Sequence, residues 1–322
     1  MAASRDGVER FGDVLARMAF VRPKHPETLP VRIGRNRIYV LPTGFGLFLG
    51  AMLFTMLVGG LNYNNNPALL LVFLFAGVAN NSLVHAHLIL SGIRLRSLHA
   101  DPVFAGEVMR LKLRFEADGS RERPGLELLY EGVIANFGIA AGEEPEVQLD
   151  IATHRRGWLP LGRMRLSTLR PFGLARAWSW LRPDTPLLVY PAPEPNAPPL
   201  PASLGDGDSP RSRAHGEQPH HLREYRTGDM PRQIAWKASA RADKLLVREY
   251  ESAVARDVLL DWNALAGMDH EARIRRLARW VIDAERSGSQ YALHLPGQRV
   301  PTGRGPDQRH ACLRALALLP DA

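Results

Sequence analysis

The chain has 322 residues, enough for about two domains and a sizeable buried core. Its net charge of +8 is scattered as single arginines, without the Lys/Arg runs or basic-aromatic stripe of a nucleic-acid surface. That excludes nucleic acid as the expected partner and favours anionic lipid headgroups, while Cys312, the sole cysteine, excludes a disulfide within the chain.

Residues 1–37 form a basic segment, expected to be cytoplasmic. Arg5, Arg10, Arg17, Arg22, Lys24, Arg32, Arg35 and Arg37 outnumber its acids, and Pro23, Pro26 and Pro30 argue against one long helix. Val8, Phe11, Val14, Leu15 and Met18 make a short amphipathic pattern that suits either a membrane surface or a frayed terminal helix. A secretory signal is not expected, since the apolar run starts late and no small-x-small site follows it.

Residues 38–61 carry no charge over a length that crosses a bilayer. A polar turn follows, and residues 67–90 form a second segment, apolar from Ala68 to Ala79 and then diluted by Asn80, Asn81, Ser82, His85 and His87. Its leucines, valines and phenylalanines each favour insertion by about 0.3–0.6 kcal/mol, which offsets part of the asparagine cost. The turn holds no Lys or Arg, whereas basic residues precede Ile38 and Arg94 and Arg96 follow Leu90. The positive-inside rule therefore predicts a transmembrane hairpin with its turn outside and both ends in the cytoplasm. His85 and His87, two apart, fall on different helix faces and make poor joint metal ligands.

Between residues 92 and 191 the apolar period becomes two. Met109, Leu111, Leu113 and Phe115 alternate with polar neighbours, as do Val147, Leu149 and Ile151, with Gly-containing turns between. Short strands at this spacing predict an antiparallel sandwich of immunoglobulin-like size. Residues 192–220 are rich in Pro, Gly, Ser and Asp and are expected to be a flexible linker. His215, His220 and His221 at its end lack the spacing of a metal site.

Residues 221–251 are the densest stretch. Gly228-Asp229 before Pro231 predicts a turn entering a helix, with Asp229 as N-cap. Arg232 and Trp236, four apart, allow a guanidinium over the indole, worth about 0.5–1 kcal/mol. Leu245 to Val247 reads as a strand. Residues 252–322 then give a strand (258–261), an amphipathic helix (271–286), a strand (291–295) and a final helix (307–319), the order of a parallel α/β unit.

Catalytic groupings are absent from the pattern. No G-x-S-x-G surrounds a serine, no Walker or G-x-G-x-x-G sequence occurs, and Ser239 lies in Ala-Ser-Ala without a base nearby. Glu224, Asp229, Glu249 and Glu251 mix with Arg223, Arg226, Arg232, Arg241 and Arg248, a composition that suits an ion-pair network better than an acid–base pair. No catalytic residue, cofactor or metal is expected from the pattern.

Two blocks resemble the domain of unknown function 58 family of bacterial membrane-linked proteins. The first is Arg223-Glu224-Tyr225, Gly228-Asp229, Arg232-Gln233-Ile234-Ala235-Trp236, Ser239-Ala240-Arg241 and Val247-Arg248-Glu249. The second is Arg155-Arg156-Gly157, Arg170-Pro171-Phe172-Gly173-Leu174 and Val189-Tyr190-Pro191. Ala235 departs from the pattern, since many members carry an acid there. Pro171-Phe172-Gly173 is expected to be a turn with an aromatic plug.

The resemblance implies a membrane-anchored α+β protein: a two-helix hairpin, a β-sandwich-like domain and a truncated von Willebrand factor A-like unit. In the family that unit begins its metal site with Asp-x-Ser-x-Ser. Here Asp261-Trp262-Asn263-Ala264-Leu265 leaves Asp261, with Asn263, as the weak metal candidate but puts Leu265 where an oxygen is needed, so the unit is expected to be metal-free, with Asp261 capping the next turn or pairing with a nearby Arg. The implied function is a non-enzymatic adaptor or scaffold working with a cytoplasmic MoxR-type AAA+ ATPase in protein assembly or chaperoning. Tyr225, Gly228, Asp229, Arg232, Trp236, Arg241, Arg248 and Glu249 would form its docking surface or a structural lock. The alternatives are an envelope-facing adhesion or cell-wall protein and a membrane-tethered hydrolase.

Overall fold

The structure is a computed structural model that describes residues 25–119, 121–201, 219–225, 235–236, 239–240, 244–250 and 257–320. It divides into two compact units at Tyr190 and Pro191. The amphipathic pattern between Val8 and Met18 and most of the expected linker lie outside the described residues.

The first unit opens with β1 (Val31–Arg32) and β2 (Tyr39–Pro42) and continues into helices α1 (Gly44–Asn62) and α2 (Asn66–Leu90). Ten strands follow: β3 (Ile93–Ala100), β4 (Val103–Phe104), β5 (Val108–Ala117), β6 (Arg123–Tyr130), β7 (Val133–Ile139), β8 (Glu146–Ala152), β9 (Gly157–Leu159), β10 (Met164–Thr168), β11 (Ala175–Leu181) and β12 (Leu187–Tyr190). They assemble as β1-β3-β5-β8, β2-β11-β10-β6-β7 and a small β4-β12-β9 sheet. Alternation sets the register. Met109, Leu111 and Leu113 of β5 pair with Ile151, Leu149 and Val147 of β8, and all six side chains are buried. The two larger sheets share one hydrophobic core, across which Phe115 stacks on Phe137 with ring centroids 5.0 Å apart.

Two departures from the sequence reading concern the chain before the helices. The apolar run does not become helical at Ile38: Tyr39–Pro42 is a strand on β11, with Tyr39 against Trp178, and the helix starts at Gly44. Pro42 biases Leu41 toward extended backbone, and Thr43 caps the helix by accepting a hydrogen bond from the Gly46 N–H at 3.1 Å. The basic segment likewise ends inside the sandwich, because Val31 pairs with Leu95 and both Val31 and Ile33 are buried.

Both helices are long and apolar enough to cross a membrane, and only 11% of each apolar stretch is buried. At 1.5 Å per residue, α1 spans about 28 Å and α2 about 37 Å. The excess length of α2 enters the sandwich, where Ala86, Ile89 and Leu90 join the core.

The second unit contains a hairpin of β13 (Pro219–Glu224) and β14 (Leu246–Tyr250), then β15 (Asp257–Asp261), α3 (His270–Arg286), β16 (Gln290–Leu295), β17 (Gln298–Gly303) and α4 (Pro306–Ala317). β15 and β16 are parallel with α3 between them, as expected. β17, which the sequence reading lacked, runs back antiparallel to β16 through Pro296-Gly297, where Gly297 takes φ +76°. Asp269 caps α3, and Ile274, Leu277, Ala278, Val281 and Ala284 face its core. Part of the expected linker is strapped to this helix: Arg276 holds Glu194 through two bonds of 2.7 and 2.8 Å, and the Trp280 indole donates to the Pro198 carbonyl at 2.9 Å.

Candidate functional site

In the second unit, the described part of the signature segment is organised around Leu246. Ala235, only 3% exposed, donates its N–H to the Leu246 carbonyl at 2.8 Å. Ser239 closes the same residue from its side chain: Oγ accepts from the Leu246 N–H at 2.8 Å and donates to its carbonyl at 3.3 Å. The serine therefore pins a strand, and Ala235 fills a packed position that an acidic side chain could occupy only at a desolvation cost. The Tyr225 N–H reaches the Leu245 carbonyl at 2.8 Å.

This frame leaves two aromatic groups outward. Trp236 is 63% exposed and Tyr225 38%. Arg248 and Glu249 lie on β14, where they pair with Leu222 and His221. Gly228, Asp229, Arg232 and Arg241 lie outside the described residues. Asp261 ends β15 and accepts a hydrogen bond from the Asn263 N–H at 3.1 Å, so its carboxylate serves the following turn. Among the described residues no three His, Cys, Asp or Glu side chains converge as metal ligands. Cys312 is fully buried, and burial pushes its thiol up to about 12, far from a nucleophile's range. Burial and the Glu285 carboxylate also push the Tyr291 phenol well above its ordinary value, while Tyr291 donates to Glu285 at 3.0 Å.

The first unit holds a polar cavity that the sequence reading missed. It measures about 550 Å³ and lies where the end of α2 meets the β1 loop and the β5–β6 connection, lined by Arg32, Arg35, Leu88, Asp118, Arg121 and Arg123 among others. Arg123 is only 5% exposed. Its Nη1 donates to the Leu88 carbonyl, one of the acceptors left open at the C-terminus of α2, and its Nη2 to the Asp118 carbonyl at 3.5 Å. Burial, then the charge of Arg121, hold the Arg123 pKa below the ordinary arginine value, against a raising effect of Asp118. The Asp118 carboxylate binds Arg32 and Arg94, each at 2.6 Å.

Phe172 also corrects an expectation. It is 59% exposed rather than a plug, at the tip of the β10–β11 turn. That turn is tied to the start of α1, because Thr43 Oγ1 donates to the Gly173 carbonyl at 2.6 Å and the Thr43 N–H to the Leu174 carbonyl at 2.9 Å. Phe172 and Leu169 are exposed on this turn, as Phe45 and Phe48 are in the first turns of α1.

These features define an α+β protein with two helices long and apolar enough to cross a membrane on a mainly antiparallel β unit, followed by a small α/β unit. Residues 221–318 match the family model described as "Protein of unknown function DUF58", which supports that family over the signature segment and the α/β unit. The match covers less than a third of the chain, and the Arg155-to-Pro191 block lies before it. No curated protein and no solved structure matches the chain.

Proposed function

We propose that the protein is a non-enzymatic adaptor of the bacterial inner membrane. Its hairpin crosses the bilayer with the Asn62–Asn66 turn outside, and both units stand on the cytoplasmic side. The observation that carries this reading is the continuity of α2: one helix has a lipid-ready apolar length and then ends in the sandwich core at Ala86, Ile89 and Leu90. Such a joint fixes the β unit directly to its anchor. The exposed Phe172 and Leu169, level with the start of α1, suit an interfacial contact.

In this reading the second unit is a truncated, metal-free version of the von Willebrand factor A-like domain. The parallel β15–α3–β16 arrangement supports it, and Asp261 is engaged in capping. The signature surface, with Trp236 and Tyr225 outward, docks a cytoplasmic MoxR-type AAA+ ATPase, since exposed Trp and Tyr are the residue types that anchor interfaces. Binding of the detergent-solubilised full chain to a purified ATPase of that type tests the proposal. Trp236→Ala is expected to weaken the complex about 30-fold or more at unchanged melting temperature. Unchanged affinity in the variant would remove Trp236 from the docking surface, and absence of any complex would remove the partner.

A further inference from the structure

We propose that the arginine-lined cavity of the β unit binds the phosphodiester headgroup of an anionic phospholipid. The inference rests on the membrane-spanning reading of the hairpin and adds a lipid class to it.

Charge comes first. Four guanidinium groups (Arg32, Arg35, Arg121 and Arg123) line the cavity against one carboxylate, Asp118. That carboxylate is already shared by Arg32 and by Arg94 behind it. Arg123 is bonded to main-chain carbonyls alone, and its Nε has no partner among the described residues. Arg35 and Arg121 are exposed and form no ion pair among the described residues. The cavity therefore carries an excess of positive charge arranged as planar donor forks, which match the paired oxygens of a phosphate better than ammonium groups do. A volume of about 550 Å³ admits a headgroup with its glycerol as well as a bare phosphate.

Depth distinguishes those two sources. Near the hairpin turn Gly60 of α1 faces Ala68 and Leu69 of α2. Carried back along the antiparallel pair, that register sets Gly44, where α1 begins, opposite Val84 and His85. Leu88, Ser91 and Gly92, which line the cavity, then lie about 5–10 Å beyond the start of the first span. The headgroup layer is about 5–7 Å thick on each side of the hydrocarbon, so the cavity opens at the level of lipid phosphates. The exposed Phe172 and Leu169, tied to Thr43, mark the hydrocarbon edge above it.

The test uses the purified full chain in mild detergent and reads melting temperature during addition of phosphatidylglycerol, phosphatidylcholine or inorganic phosphate. Phosphatidylglycerol is expected to raise the melting temperature saturably and phosphatidylcholine not to. In the double variant Arg35→Ala/Arg121→Ala, the half-saturating phosphatidylglycerol concentration should rise about 30-fold, with the lipid-free melting temperature unchanged because both side chains are exposed and unpaired. Equal responses to the two lipids, or a wild-type response in the double variant, would overturn the site. A full shift with inorganic phosphate and none further with phosphatidylglycerol would overturn the lipid assignment. Carbonate extraction of membranes holding the full chain separates this from the anchor: a chain that resists extraction yet ignores phosphatidylglycerol loses only the site, whereas one that washes out removes the hairpin and the site with it.

Discussion

Helices α1 and α2 have similar apolar composition and the same small buried share over their most apolar stretch, yet they meet the β unit differently. α1 begins at the sheet: Thr43 caps it, and Gly46 packs so close that an added Cβ would overlap the Leu174 carbonyl oxygen. α2 ends in the core, with Ala86, Ile89 and Leu90 surrounded by residues of both large sheets. The first is fastened at its end by hydrogen bonds and close backbone contact, whereas the second continues from apolar span to core helix without a break. Hydropathy alone does not separate these cases, since an apolar residue suits lipid and protein core equally well. What separates them is length, and α2 has about one and a half turns more than a bilayer requires.

Substitutions rank the two attachments. Leu90→Ala removes a fully buried side chain and is expected to lower the stability of the detergent-solubilised chain by about 2–5 kcal/mol in thermal or denaturant melting. Thr43→Ala removes the cap and the hydroxyl's bonds to the Gly173 and Leu174 carbonyls, an expected loss of about 0.5–2 kcal/mol that Thr43→Ser should largely restore. Leu74→Ala, at an exposed position midway along α2, should change melting by less than about 0.5 kcal/mol. If Leu90 and Leu74 proved equal, the division of α2 into span and core helix would fail.

Much of this architecture is legible in residue order. Period-two runs such as Met109 to Phe115 mark sandwich strands because one face of each is buried, and the α/β order of the second unit follows from one amphipathic helix between two apolar strands. The start of α1 was also readable: Pro42-Thr43 is a strand end followed by an N-cap, a local signal that the uncharged run from Ile38 overshadowed. β17 is harder to see, since Gln298 to Gly303 is polar apart from Val300 and its pairing depends on the Pro296-Gly297 turn. Ser239, in Ala-Ser-Ala without a base nearby, has no role legible in the sequence, and only the folded chain shows both of its hydrogen-bonding roles used on Leu246.

The arginine cavity has no sequence signature at all. Arg32 and Asp118 are 86 positions apart, and Arg123 is 35 positions from Leu88, so their meeting depends on the sheets and on the end of α2. Phe172 shows the converse. Its Pro-Phe-Gly turn is visible in the sequence, but the outward setting of the ring is not.

The membrane hairpin is the claim on which the adaptor and lipid readings both depend, and its direct test is topology. A reporter that works on only one side of the membrane is fused after Ala322 of the full chain. Cytoplasmic activity, together with resistance to carbonate extraction, is the predicted result and places both units beside a cytoplasmic partner. Activity only on the outer side would contradict the even-pass hairpin and exclude a cytoplasmic ATPase from contact with the signature surface.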